Sequence, residues 1–360
     1  MLWLWGILRR LLAMFVNVVN QFIMENVVKS VVKFSQGEMS KNMKRYSEVL
    51  NVGVVGLGQM GKNHVRVLSQ IGVLNVVYDI SQHLTQKVAE QYNVIPATSM
   101  DELIELSDAV FVVTPTSTHF DLAKQVLMQN KHVFIEKPIT LTVEEARELI
   151  LLAQKNKRIL QIGHIERFNP VVMELKKIIQ NDQVISVDIK RLSSYDARIK
   201  DTDVIFDLMI HDLDLLYYLF NEEIQIKGVL KKSIHRPELA DHVSVLAETL
   251  SGIMITVTSS RVTEEKIRSI SITTLRSYIH ADYLTRNIYI HRRTNLQTQF
   301  EEATYRQENI VEKVYVPNYE PLYLQNYHFV EAVVSESDPI VSGWDGLRAI
   351  QLAQQIQDYS

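Results

Sequence analysis

Residues 51 to 79 read NVGVVGLGQMGKNHVRVLSQIGVLNVVYD. A short apolar run ends in Gly56-Leu57-Gly58-Gln59-Met60-Gly61, a helical stretch follows from Asn63 to Ile71, and a second apolar run closes on Asp79. GxGxxG spacing is common by chance. The strand before it, the helix after it and an acid about 20 residues further on make it specific. Gly56 permits the tight turn, Gly58 lets backbone N–H groups approach a pyrophosphate, and Gly61 lets helix and strand pack closely. The stretch therefore predicts a dinucleotide-binding βαβ unit. Asp79 selects the dinucleotide: a carboxylate there accepts the ribose hydroxyls of NAD and repels the 2′-phosphate of NADP, and Ile80 and Ser81 offer no arginine to hold one. NAD is the expected cofactor. A plainer reading, that Asp79 only caps a helix starting near Ser81, stays open here.

Working outward, short apolar runs alternate with amphipathic stretches from Val49 to Ile162. Strands are expected at 50–55, 73–78, 109–113, 132–135 and 159–161, with helices at 82–91, 100–106, 119–129 and 143–155. This is the pattern of a doubly wound parallel sheet, an N-terminal Rossmann domain over 46–163. Thr142 to Glu145 reads as a capping box. After Gly163 the texture changes. A helix near 169–179 precedes strands that alternate apolar and polar residues, at 184–191, 226–230, 242–249, 254–260, 269–274, 277–281 and 287–291. Such alternation predicts a C-terminal α/β domain, 164–340, with an open mixed, largely antiparallel sheet. A broad apolar open face would be a liability unless a second subunit covered it. Helices are expected at 321–335 and 344–357, with residues 341–360 packing back on the first domain.

At 360 residues the chain can form two cores. Hydrophobic content of 46%, charged content of 22% and a net charge of −4 describe an ordinary soluble enzyme and give no basic excess for nucleic acid. With no cysteine, disulfides, thiolate zinc sites and cysteine nucleophiles are all excluded; the composition suits a reducing, cytoplasmic setting. The opening MLWLWGILRRLLAMFVNVVNQFIM is apolar but broken by Arg9, Arg10, Asn17, Asn20 and Gln21. Its uninterrupted stretches fall short of the roughly 20 residues that span a bilayer. No small-residue cleavage site follows, and Glu25, Lys29 and Lys33 break up what comes next. Residues 1–45 are read as an extension without firm membrane association, either an interfacial helix or, preferably, the result of a start placed upstream of Met39 and Met43.

Three constellations carry chemistry. Thr114-Pro115-Thr116-Ser117-Thr118-His119 follows a strand at the carboxyl edge of the sheet, where hydroxyls and a rigid proline can line the nicotinamide ribose; a helix N-cap at Ser117 or Thr118 is an equal reading. Glu136-Lys137-Pro138 ends the next apolar strand, which holds the lysine at the sheet edge, where burial and neighbouring charge shift its pKa. Asp207, His211 and Asp214 fall on one face of a helix by offsets of four and three, so that Asp207 can orient the imidazole as a base. The same offsets suit a metal, but Lys137 would compete as a cation, and no metal is expected. On its own, the His–Asp pair would be a surface contact worth a few tenths of a kcal/mol.

Gly56-Leu57-Gly58-Gln59-Met60-Gly61, Glu136-Lys137-Pro138 and Asp207-xxx-His211, in this order, resemble the family of glucose-fructose oxidoreductase, inositol dehydrogenase and rhizopine-catabolism dehydrogenases, from about Leu50 to the end. The resemblance implies a Rossmann domain and a mixed α/β domain assembled through its sheet as dimers or tetramers. It also implies Lys137, Asp207 and His211 as the catalytic set. Cofactor contacts are expected from the glycine turn, Asp79, Thr114, Pro115, Thr116, His119, Glu136 and Lys137. Gly163-His164-Ile165-Glu166-Arg167-Phe168-Asn169-Pro170 is similar to the branch of UDP-N-acetylglucosamine 3-dehydrogenases, whose product an aminotransferase takes on toward a diamino lipid A sugar. That likeness implies a nucleotide-sugar substrate and adds His164 and Asn169 to Lys137, Asp207 and His211 as substrate contacts. Arg167, Arg191 and Arg198 then suit a substrate diphosphate, or else lie on the surface. Another polyol or UDP-sugar-acid dehydrogenase, or a noncatalytic NAD-sensing regulator, are the alternatives.

Overall fold

The computed structural model describes residues 46, 49–180, 182–195, 203–293 and 309–359. The proposed extension over 1–45 and Arg198 lie outside the described residues. Met1–Val49 and Leu50–Ser360 form separate units, and the account below concerns the second.

Strand β1 (Val52–Val55) is buried at all four positions, as a central parallel strand with helices on both faces must be. It is followed by α1 (Gln59–Ile71), β2 (Leu74–Tyr78), α2 (Gln82–Tyr92), the two-residue β3 (Ile95–Pro96), α3 (Met100–Glu105), β4 (Ala109–Val112), α4 (His119–Met128), β5 (His132–Ile135), α5 (Val143–Lys155) and β6 (Leu160–Ile162). The six strands run parallel in the order β3-β2-β1-β4-β5-β6, so the direction of winding reverses between β1 and β4, where such sheets bind ligands. Thr142 and Glu145 form the expected capping box on α5. Helix α1 starts at Gln59, four residues before the expected Asn63, and β3 was not expected.

The second sheet is reached through α6 (Pro170–Ile179). Its strands are β7 (Val184–Leu192) and, after α7 (Ile210–Phe220), β8 (Ile224–Lys232), β9 (His242–Thr249), β10 (Met254–Ser260), β11 (Ile267–Thr274), β12 (Ser277–Asp282), β13 (Asn287–Arg293) and β14 (Asn309–Val314). Eight strands lie in the order β14-β13-β12-β11-β7-β10-β9-β8, antiparallel except for the β7–β10 pair. Strand β14 was not anticipated. Val187 and Ile189 of β7, Val243 and Val245 of β9, and Ile270 and Ile272 of β11 are buried on one face. The other face is not the broad apolar surface expected: exposed Leu246, Met254 and Tyr278 are interleaved with Asp188, Lys190, Thr256, Ser269 and Ser271.

Two helices close the chain, α8 (Pro321–Ser335) and α9 (Gly343–Asp358). Helix α9 packs on α5 and β6 by way of its glycines. A Cβ on Gly343 would meet Ile150 and Leu160, and one on Gly346 would meet Ile162. Just before α9 the chain pairs with the outer edge of β6, Ile162 N–H donating to Val341 C=O at 3.1 Å, which closes that edge. Among the described residues no helix is long and apolar enough to cross a membrane.

Candidate active site

The glycine turn has the shape its spacing implies. Gly56 sits at φ +90°, and a Cβ there would lie 2.4 Å from the Val113 carbonyl oxygen; a Cβ on Gly61 would lie 1.9 Å from that of Gly56. Gly58, at the N-terminus of α1, has nothing within 4 Å of its Cβ position, and no side chain caps the helix. The free N–H groups of the first turn therefore face open space, as a pyrophosphate requires. Asp79 Oδ2 accepts from Leu57 N–H at 2.8 Å and Oδ1 from Ser81 N–H at 2.9 Å, so the acid is fixed against the turn while Ser81 caps α2. Ile80 beside it is 93% exposed. Uncapped helix, open glycine and anchored acid together fit NAD.

Of the Thr114–His119 stretch, Thr118 donates to Thr114 Oγ1 at 2.7 Å and does not cap α4. His119 is corrected as a cofactor contact. It is buried, with Nδ1 2.8 Å from Pro138 C=O and Nε2 2.9 Å from Thr114 C=O; the neutral ring donates to one of these carbonyls, and backbone oxygens cover both nitrogens. Glu136 likewise points inward, accepting from Lys137 N–H at 3.1 Å and lying 2.8 Å from His64 Nε2.

Lys137 follows β5, and its bond to Pro138 is cis. Nζ donates to the carbonyl oxygen of Asp207 at 2.7 Å and lies 3.6 Å from Asp207 Oδ1. Burial pushes the lysine below its ordinary pKa, Asp207 and Glu136 oppose that shift, and Arg191 adds to it. Asp207 does not orient His211 as the offset of four implied. Residues Ile205–Met209 form a wider π turn ahead of α7, which breaks the 3.6-residue phase, and the carboxylate faces Lys137 instead. His211 Nδ1 is enclosed without a hydrogen-bond partner. Burial first, then the charge of Lys137, holds this imidazole well below its ordinary pKa. His164 is buried with both ring nitrogens unpartnered, and it acts electrostatically on His211 as Lys137 does on it. Lys137, Asp207, His211 and His164 thus come together.

The remaining expected substrate contacts do not join them. Arg167, 5% exposed, forks onto Asp214 at 2.6–3.1 Å and reaches Asp345 at 3.1 Å and Ile340 C=O at 3.2 Å. Arg191, 2% exposed, forks onto Asp212 at 2.8 Å and Glu166 at 2.9 Å. Neither lies on the surface and neither keeps a donor pair for a diphosphate. Asp214 accordingly serves Arg167, and does not share a face with His211 in function. Asn169 is also engaged, capping α6 through Val171 N–H and donating to Glu166. Sequence reasoning missed Glu166, Asp212 and Asp345 as partners; a run of charges inside an apolar helix, His211-Asp212-Leu213-Asp214, was the available signal. Among the described residues no cluster suits a metal.

Residues 50–164 match an oxidoreductase family with an NAD-binding Rossmann fold, and residues 185–279 match the Gfo/Idh/MocA C-terminal domain. The chain belongs to the Gfo/Idh/MocA oxidoreductase family. NAD is the cofactor of its Rossmann domain. The UDP-N-acetylglucosamine 3-dehydrogenase of Acidithiobacillus ferrooxidans is 34% identical over 245 residues, covering 68% of this chain and 77% of that one. A solved structure of the enzyme from the same organism superimposes with a TM-score of 0.78 at 29% identity, covering 86% and 96% of the two chains. Inositol 2-dehydrogenase of Salmonella typhimurium is 30% identical over 58% of this chain and 66% of its own.

Proposed function

We propose that this oxidoreductase oxidises the C3 hydroxyl of a UDP-sugar, UDP-N-acetylglucosamine or a close relative, with NAD. The substrate rests on the 34% identity to the Acidithiobacillus enzyme; the chemistry rests on a lysine and an unpartnered imidazole meeting at the sheet edge. Lys137, its ammonium supported by Asp207, polarises the hydroxyl, and neutral His211 accepts the proton through its free ring nitrogen. His164 gives the sugar a further polar contact, and Asp207 acts by holding Lys137. The bound nicotinamide supplies the hydride acceptor. The burial of His164 and the enclosure of His211 Nδ1 keep both imidazoles neutral.

The test is NADH absorbance with UDP-N-acetylglucosamine, its uronic acid and myo-inositol, with an aminotransferase coupled to remove the keto product. UDP-N-acetylglucosamine is expected to give the highest kcat/KM, and a preference for myo-inositol would place the enzyme with its inositol-oxidising relatives instead. Lys137→Ala should lower turnover by about a thousandfold with NAD binding retained; parallel loss of NAD binding would give the lysine a structural role. A 3-keto product passed to a PLP aminotransferase would serve a diamino sugar of lipid A, made in the cytoplasm. The open sheet face, with Leu246, Met254 and Tyr278 set among the Lys227–Glu248 and Lys190–Asp188 pairs, is read as the surface of a homodimer or homotetramer. Sedimentation of Leu246→Glu, which places a charge in it, should show smaller particles than the unaltered chain.

A further inference from the structure

We infer that His64 is a positioning residue for Lys137: its imidazole, braced by Asn326 of α8, holds the Glu136 carboxylate in place beside the lysine. His64 lies in the first turns of α1, three residues beyond Gly61, and is fully buried. Its Nε2 is 2.8 Å from Glu136 Oε1 and its Nδ1 is 3.0 Å from Asn326 Oδ1. The rings of Phe111 and Phe134 flank it, with centroids 5.4 and 5.2 Å away. The other carboxylate oxygen of Glu136 accepts from Lys137 N–H at 3.1 Å, and the carboxyl rests where a Cβ on Gly163 would lie 2.9 Å from it. Helix α1, the lysine loop and α8 are therefore joined by one chain of hydrogen bonds ending at the lysine.

The direction of these bonds follows from charge. Burial works against the Glu136 carboxylate, but the His64 contact and Lys137 outweigh it and hold its pKa below the ordinary value. An ionised carboxylate only accepts, so His64 Nε2 carries a hydrogen. Asn326 Nδ2 is buried without a partner. Either Nδ1–H donates to Asn326 Oδ1, or the amide turns and Nδ2 donates to a bare Nδ1; in both arrangements the ring donates to Glu136. An aromatic cage of this kind is filled at lower cost by an apolar side chain than by a polar ring and a carboxylate that must be desolvated. What the pair provides is a fixed negative charge next to Lys137, matching that of Asp207 in the second domain.

The inference rests on Lys137 acting in the proposed reaction, and the test separates the two. His64→Phe suits the cage and removes the donor. Its crystal structure with NAD is expected to show Glu136 displaced and Lys137 Nζ out of hydrogen-bond reach of the Asp207 carbonyl. Calorimetry should give an NAD dissociation constant within about threefold of the parent, while kcat for UDP-N-acetylglucosamine falls about 10- to 100-fold at unchanged KM. His64→Gln, which keeps an N–H donor, should recover part of the loss. If His64→Phe does not fold, Glu136→Gln takes its place, with the same loss of kcat and retention of NAD binding expected. Glu136 and Lys137 unmoved, kcat within twofold of the parent, or lost NAD affinity at full kcat would each overturn the inference. Absence of turnover in the parent enzyme would sink the substrate reading, and the crystal structures would still decide the role of His64.

Discussion

Lys137 and His211 do not readily both carry charge, because each is largely removed from solvent and the charge of Lys137 raises the cost of a proton on His211. The carboxylates of Asp207 and Glu136 favour the lysine, so the imidazole is the neutral member. If His211 is the base, kcat/KM should stay level as pH falls through 6.5, the ordinary histidine value, and decline only well below it. A profile that instead rises on the alkaline side to a plateau below about 10.4 would make neutral Lys137 the base. Lys137→Met should raise the pKa of His211 by removing the neighbouring charge, so the acid limb of residual activity should move upward. Asp79 presents a second single-residue case. Its Oδ2 holds the glycine turn through Leu57 N–H, so Asp79→Ala would loosen the turn as well as remove the charge. Asp79→Asn keeps one acceptor oxygen for Leu57 N–H, gives up the one that serves Ser81 N–H, and removes the repulsion. The expected outcome is about a tenfold loss of discrimination against NADP, measured as the ratio of dissociation constants.

At the scale of elements, α7 is held by its acids. Asp212 and Asp214 follow His211 on the chain and are taken by Arg191 of β7 and by Arg167, which also grips Asp345 in the first turn of α9. Removing one guanidinium strands buried carboxylates. Arg191→Met should destabilise the protein by about 3–5 kcal/mol, whereas Arg268→Met, whose side chain is 33% exposed and 3.7 Å from Glu166, should cost less than about 1 kcal/mol. Chemical denaturation of the two variants checks the contrast. These pairings also show where the sequence stopped being legible. Glycine spacing, the capping box and strand alternation are local patterns, and they located the βαβ unit and nearly every strand. The start of α1 was missed because Gly58 offers no capping side chain, and β14 because it is an edge strand beyond a stretch with no recognisable turn. Asp207 was assigned to His211 by helical arithmetic, which a π turn invalidates. Arg167 and Arg191 read as ligand contacts because their carboxylate partners lie far away in the chain, one of which, Asp214, the helical offsets had placed with His211.

Across the whole molecule, among the described residues, the interior holds four buried histidines, His64, His119, His164 and His328. Burial lowers His328, between α8 and the Gln161 of β6, to about 4, and lowers His132, with help from Arg158, to about 4 as well. Both are neutral in the folded chain at neutral pH and take up a proton more readily once unfolded. Between the unfolded value near 6.5 and the folded value near 4, the unfolded state binds more protons, so stability falls as pH falls. For His328, which is 8% exposed, the full span of about 2.5 units amounts to roughly 3 kcal/mol. The melting temperature should therefore decline steadily from pH 6.5 toward pH 4. His328→Gln, which keeps a polar group for Gln161, lowers stability at neutral pH but should flatten that decline, since glutamine has no proton to gain. An unchanged slope would place the acid sensitivity in the other imidazoles that burial lowers in the same direction, His119, His132, His164 and His211. Among these, a slope flattened by His211→Asn would link the acid stability of the fold to the neutral imidazole of the proposed reaction.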